Sequence, residues 1–115
     1  MATFHVVLIT PDGVAHELAV RPDELILDAA LERGLDLPYS CLQGWCLSCA
    51  GRVRQGRVDQ GLSRRFYDLD RSGGFALLCT ARPRSDLIIE THASEAMRRF
   101  RDEHGLPHPR GSWGP

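Results

Sequence analysis

Three of the four cysteines fall within nine residues, at Cys41, Cys46 and Cys49, and the fourth, Cys79, follows after 29 intervening residues. Four unrelated core cysteines would not crowd in this way, so a fold for this chain must bring a distant segment back onto one short loop. The first residues alternate polar and apolar and contain no basic segment followed by an apolar stretch. No secretory leader is therefore expected there, and the expected compartment is cytoplasmic. Disulfide frameworks are rare in that compartment, which leaves metal binding or redox chemistry as the reading of the four thiols.

At 115 residues the chain suits one domain with a core large enough to fold without cross-links. Its 43% apolar and 25% charged residues are those of an ordinary globular protein. No apolar run approaches the roughly 20 residues that cross a bilayer, so no membrane association is expected. A formal charge of −1 offers no overall basic field for nucleic acid.

The β-branched and aromatic run Thr3–Thr10 predicts a strand, Pro11-Asp12-Gly13 a turn, and the alternating Val14–Val20 the return arm of a hairpin, with Val14, His16, Leu18 and Val20 on one face. His16 is read as a strand-end residue with its polar edge in water. Asp23 and Glu24 favour a helix start, and the stripe Ile26, Ala29, Ala30 and Leu31 with Gly34 beyond predicts a helix over Leu25–Arg33. Pro38–Cys49 has neither helical nor strand periodicity. Ala50–Asp59 predicts a hairpin around Gln55-Gly56, and Ser63–Asp70 one or two helical turns with Phe66, Tyr67 and Leu69 as core candidates. Phe75–Thr80 predicts a buried strand carrying Cys79, Leu87–Thr91 a last strand, and Ser94–His104 a helix capped by Ser94 and ended by Gly105. Two strands, a helix and further strands make an α+β fold rather than repeated βαβ units. The expected division is a domain over residues 1–95 and a C-terminal extension over 96–115, a short helix followed by a mobile Gly- and Pro-rich tail.

The spacing C-x4-C-x2-C…C is the known pattern of plant-type [2Fe–2S] proteins. A two-iron, two-sulfide cluster needs four converging thiolates, and a curled loop plus a distant strand can supply them. Gly44, inside the first spacing, can turn backbone N–H groups toward sulfur, and Gly51 permits close backbone approach. Structural zinc usually presents two short Cys pairs, whereas only Cys46–Cys49 forms one here. A thioredoxin-like C-x-x-C would leave Cys41 and Cys79 unused. A zinc-stabilised binding module on the same sulfurs, and a cluster-bearing sensor, stay open as alternatives.

Pro38-Tyr39-Ser40-Cys41, Cys49-Ala50-Gly51, Val58-Asp59-Gln60, Leu78-Cys79-Thr80 and Ile89-Glu90-Thr91-His92 resemble segments of the plant-type [2Fe–2S] ferredoxins, in the form of a bacterial member. The resemblance runs from about Thr3 to Glu95. It implies a β-grasp fold, a mixed sheet with one main helix packed on it. It also implies a [2Fe–2S] cluster with Cys41 and Cys46 on one iron and Cys49 and Cys79 on the other. The expected function is a one-electron carrier with no catalytic residues and a low potential, roughly −400 mV for such centres. Its expected partners are a ferredoxin reductase, NAD(P)H-dependent, and an acceptor enzyme such as an oxygenase, served by a monomer.

Three features depart from that family. Leu42 and Trp45 stand where many members have a basic and a small residue, and Trp45 adjoins Cys46. Asp68 and Asp70 keep part of an acidic docking region, but Arg64, Arg65 and Arg71 surround them, and Arg82 and Arg84 follow Cys79. Beyond residue 95, Met97, Phe100 and Leu106 can pack a helix back on the domain, while Trp113 sits among Gly and Pro in the tail.

Overall fold

A computed structural model describes residues 3–37, 49–61 and 66–106. Within them the elements run β1 (Phe4–Ile9), β2 (Ala15–Val20), α1 (Ile26–Glu32), β3 (Ala50–Gln55), β4 (Val58–Asp59), α2 (Asp68–Ser72), β5 (Phe75–Leu77), β6 (Arg82–Pro83), β7 (Leu87–Glu90) and α3 (Ser94–Glu103). Five strands form one mixed sheet in the order β2-β1-β7-β3-β5, and β4 and β6 pair separately. β1 and β7 run parallel, Val6 opposite Leu87, while the remaining neighbours are antiparallel. This is the α+β, β-grasp architecture expected.

The hairpin closes because Gly13 takes φ +84° and its N–H donates to the Thr10 carbonyl at 2.8 Å. Leu18 and Val20 face the core, whereas Val14 lies before β2 and is 45% exposed, so the predicted apolar face is shorter than expected. His16 is half-buried, its Nε2 3.4 Å from Thr10 Oγ1. Val6, Leu8, Leu87 and Ile89 alternate on β1 and β7 and bury completely or nearly so. Against them α1 lays Ile26, Leu27, Ala29 and Ala30. Burying a side chain such as Ile26 or Leu27 contributes roughly 1.5–3 kcal/mol.

Several local expectations need correction. β3 and β4 are not a hairpin. Gly56 turns the chain at φ +100°, after which Arg57 N–H donates to Ser85 Oγ at 2.8 Å and its carbonyl accepts from Arg84 N–H at 3.0 Å. Residues 57–59 thus bond to β6 and the two residues after it, while β3 is taken by β5 and β7. The strand β5 ends at Leu77, so Cys79 sits in the turn after it, where Thr80 N–H donates to the Leu77 carbonyl at 3.1 Å. Of the predicted helical span Ser63–Asp70, residues 63–65 lie outside the described residues and Phe66 and Tyr67 are not helical; α2 runs over Asp68–Ser72, with Leu69 43% exposed and Asp70 as its buried residue. Ser94 is the first helical residue of α3, not its cap, and Gly105 follows the helix with φ +69°.

The third helix is bound into the domain. Met97 is fully buried, Phe100 meets Phe75 in a tilted contact with ring centroids 5.3 Å apart, and Arg101 reaches Asp70 of α2.

Candidate functional site

Two of the four candidate ligands, Cys49 and Cys79, lie among the described residues. Cys41, Cys46, Gly44, Leu42 and Trp45 lie outside them. The antiparallel register of β3 and β5, Ala50 opposite Leu77, brings the two cysteines to the same end of the sheet. The bond from Leu78 N–H to the Cys49 carbonyl, 3.1 Å, extends that pairing one step beyond the strands. The sulfurs stand 3.1 Å apart, and each residue is only 3% exposed.

That separation is far beyond the roughly 2.05 Å of a disulfide. Metal–thiolate bonds of about 2.3 Å in a tetrahedron place two sulfurs about 3.8 Å apart. A small rotation of either side chain therefore lets one metal ion take both. The Cys79 N–H already donates to Cys49 Sγ at 3.4 Å, the kind of contact that stabilises a thiolate and raises a cluster's potential. Among the described residues no group of three or more His, Cys, Asp or Glu side chains converges on a metal position. The pair thus fits half of a four-thiolate site, with no histidine completing a metal site among the described residues.

The turn carrying Cys79 is held from two sides. On one, the first backbone N–H groups of α1 point into it: Ile26 N–H donates to the Ala81 carbonyl at 2.9 Å and Leu27 N–H to the Leu78 carbonyl at 3.0 Å. On the other, buried Gln60 clasps the Leu77 peptide, accepting from its N–H through Oε1 at 2.6 Å and donating to its carbonyl through Nε2 at 3.3 Å. The same Nε2 lies 3.3 Å from Thr80 Oγ1, so the amide spans both ends of the turn. The sequence places Gln60 only as part of a family segment. Its clasp is formed across 17 residues and leaves no local signal.

Gln60 is in turn anchored by its neighbour. Asp59 Oδ1 accepts from Gly61 N–H at 2.7 Å, and Oδ2 meets Arg82 and Arg84, each at 2.9 Å. The Gly61 bond and the two guanidinium groups hold the Asp59 carboxyl below the usual carboxylate range, against a smaller opposing effect of burial. Gly51, the next residue of β3 but one after Cys49, has no room for a side chain. A Cβ there would stand 2.8 Å from Ile89 Cγ2 and 3.2 Å from the Glu90 carbonyl oxygen.

Residues 9–84 match the family model described as the 2Fe-2S iron-sulfur cluster binding domain. The chain belongs to the [2Fe–2S] ferredoxin family. It is 43% identical over 93 residues to the heterocyst ferredoxin of Microchaete diplosiphon, covering 80% of this chain and 94% of that protein. It is 41% identical over 88 residues to Ferredoxin-6, chloroplastic, of Zea mays, covering 76% of this chain and 57% of the maize protein. Among solved structures it resembles Pectocin M2, with TM-score 0.77 and 34% identity over 89% of this chain and 38% of that one. It also resembles phthalate dioxygenase reductase, a modular structure for electron transfer from pyridine nucleotides to [2Fe–2S], with TM-score 0.59, 26% identity and coverage of 77% and 26%. The chain thus spans little more than half of the maize relative and smaller parts of both structural neighbours. The family cofactor is a [2Fe–2S] cluster, and the relatives are ferredoxins, electron carriers rather than enzymes. This chain is an electron carrier of that kind. When bound, such a cluster accepts and releases one electron at a time. No helix among the described residues is long and apolar enough to cross a membrane.

Proposed function

We propose that Cys41, Cys46, Cys49 and Cys79 hold the [2Fe–2S] cluster, with Cys49 and Cys79 sharing one iron, and that the protein works as a monomeric cytoplasmic shuttle. The convergence of two buried sulfurs to 3.1 Å across a sheet register supports this reading most directly. In it, Gln60 and the α1 N-terminus fix the turn that presents Cys79, and the Cys79 N–H steadies the Cys49 sulfur. We assign residues 1–95 to the ferredoxin-type domain and residues 96–115 to an extension; α3 crosses that boundary and packs back through Met97 and Arg101.

The donor we assign is an NAD(P)H-dependent reductase, and the acceptor an oxygenase or similar enzyme. The likeness to a dioxygenase reductase that takes electrons from pyridine nucleotides supports that pairing. Purified protein is expected to be brown, to bleach with dithionite, and to give a rhombic electron paramagnetic resonance signal once reduced. Cys49→Ser or Cys79→Ser should alter that signal or abolish cluster loading. A colourless protein carrying zinc would instead establish the binding-module reading.

A further inference from the structure

Charge is divided sharply along this chain. Residues 1–49 carry seven acidic side chains and two arginines, while residues 50–84 carry eight arginines and three acidic side chains. The sheet order separates these halves in space. The acidic half supplies β2, at one edge, and α1, with Asp12, Glu17, Asp28, Glu32 and Asp36 exposed. The basic half supplies β3 and β5, at the other edge, together with β4 and β6. With strands about 4.8 Å apart, the outer strands β2 and β5 lie roughly 19 Å apart, enough to make the molecule strongly dipolar.

At the basic edge lies a groove of about 610 Å³ with Val53, Val58 and Phe75 in its lining and exposed Arg57, Arg71 and Arg84 around it. Asp59, the acid in that lining, has both oxygens already engaged by Gly61, Arg82 and Arg84, so cationic charge is in excess. The lining approaches the site through Arg84, five residues after Cys79 and at most about 18 Å of extended chain from it, and through Asp59, next to the Gln60 that holds the Cys79 turn.

We propose that the redox partner docks through an acidic surface onto this arginine groove, with the acidic edge of β2 and α1 turned away. The inference rests on the electron-carrier reading above and names the charge of the partner. Arginine forks bind carboxylates bidentately, and opposed fields speed and orient the short encounters that electron exchange requires. The acidic edge supplies the repulsion that rejects a partner presented the other way round.

The test uses holoprotein with two probes, the acidic cytochrome b5 and the basic cytochrome c, with binding measured by calorimetry and nuclear magnetic resonance. Wild type is expected to bind cytochrome b5 at low salt, to shift amides of Val58 and Phe75, and to lose that binding as salt screens the charges. Arg57→Glu/Arg71→Glu should weaken it at least tenfold. Arg21→Glu/Arg33→Glu, an equal charge change at the acidic edge, should leave it within about twofold. Equal weakening by both double variants, or shifts mapping to α1, would overturn the docking assignment. Binding is read independently of the cluster, whose visible spectrum is recorded on the same samples. An absent cluster with intact groove binding would sink the carrier reading alone, and a normal cluster with no groove binding the docking inference alone.

Discussion

The guanidinium of Arg101 grips the carboxylate of Asp70 through two hydrogen bonds, Nε to Oδ1 at 3.2 Å and Nη2 to Oδ2 at 2.8 Å, with both side chains fully buried. The Tyr67 ring lies 5.0 Å from the guanidinium carbon, and the second carboxylate oxygen also accepts from Tyr67 N–H at 3.0 Å. This pair ties α3 to the start of α2. It also removes Asp70 from the acidic docking region expected from its position beside Asp68.

Breaking the pair from one side should be costly, because the survivor is left buried and charged. Asp70→Asn or Arg101→Met is expected to lower stability by about 3–5 kcal/mol in urea titrations. Asp70→Leu combined with Arg101→Met should recover most of that loss. Additive losses in the double variant would show that the pair does not act as a unit.

Gln60→Leu removes the clasp on the Cys79 turn and leaves the Leu77 peptide buried without those bonds. A loss of about 2–3 kcal/mol is expected, with faster bleaching of the visible spectrum in air. Gln60→Glu keeps an acceptor for the 2.6 Å bond from Leu77 N–H and should lose less. Identical bleaching rates in all three proteins would mean that the clasp does not position Cys79.

At Gly51 even one methyl group meets Ile89 and the Glu90 carbonyl. Gly51→Ala should cost about 1–3 kcal/mol through displacement of β3 from β7. Because β3 begins beside Cys49, the electron paramagnetic resonance line shape should change as well. An unaltered spectrum with lowered stability would confine the strain to the sheet.

Asp59 makes a pH-dependent contribution of predictable sign. Its folded carboxyl is held below the ordinary aspartate value of about 3.9, chiefly by the Gly61 N–H and then by Arg82 and Arg84. The stabilisation is therefore complete above that value and fades as pH falls through the lower folded one. Asp59→Asn should be less stable than wild type at pH 7, with the gap closing only below about pH 4. A gap that closes near neutrality would assign the effect to another group.

Local features carried the readable part of the fold. The Pro11-Asp12-Gly13 turn between alternating runs marks the β1–β2 hairpin, and the apolar stripe of α1 places that helix within one residue at each end. Cysteine spacing shows that Cys79 must return to the loop, and the β3–β5 register returns it to Cys49. What escaped was set by distant partners. Gln55-Gly56 has the look of a hairpin turn, yet the bonds after it go to β6, some 25 residues on. Asp70 resembles any exposed helix acid until Arg101, 31 residues later, folds over it. Gln60 is equally silent, because its partners, the Leu77 backbone and Thr80 Oγ1, lie 17 and 20 residues away.

The parallel pairing of β1 with β7 bears on how the chain is built. Val6 and Leu87 are neighbours in the sheet though 81 positions apart, and β7 is also the strand between β1 and β3. Until β7 is synthesised, no strand joins the β2–β1 ribbon to the β3–β5 ribbon, and the edges of β1 and β3 that it covers are open to other chains. A nascent or truncated chain lacking Leu87–Glu90 is thus two half-sheets, prone to pair with copies of themselves. The last strand decides whether this polypeptide becomes a protein or an aggregate.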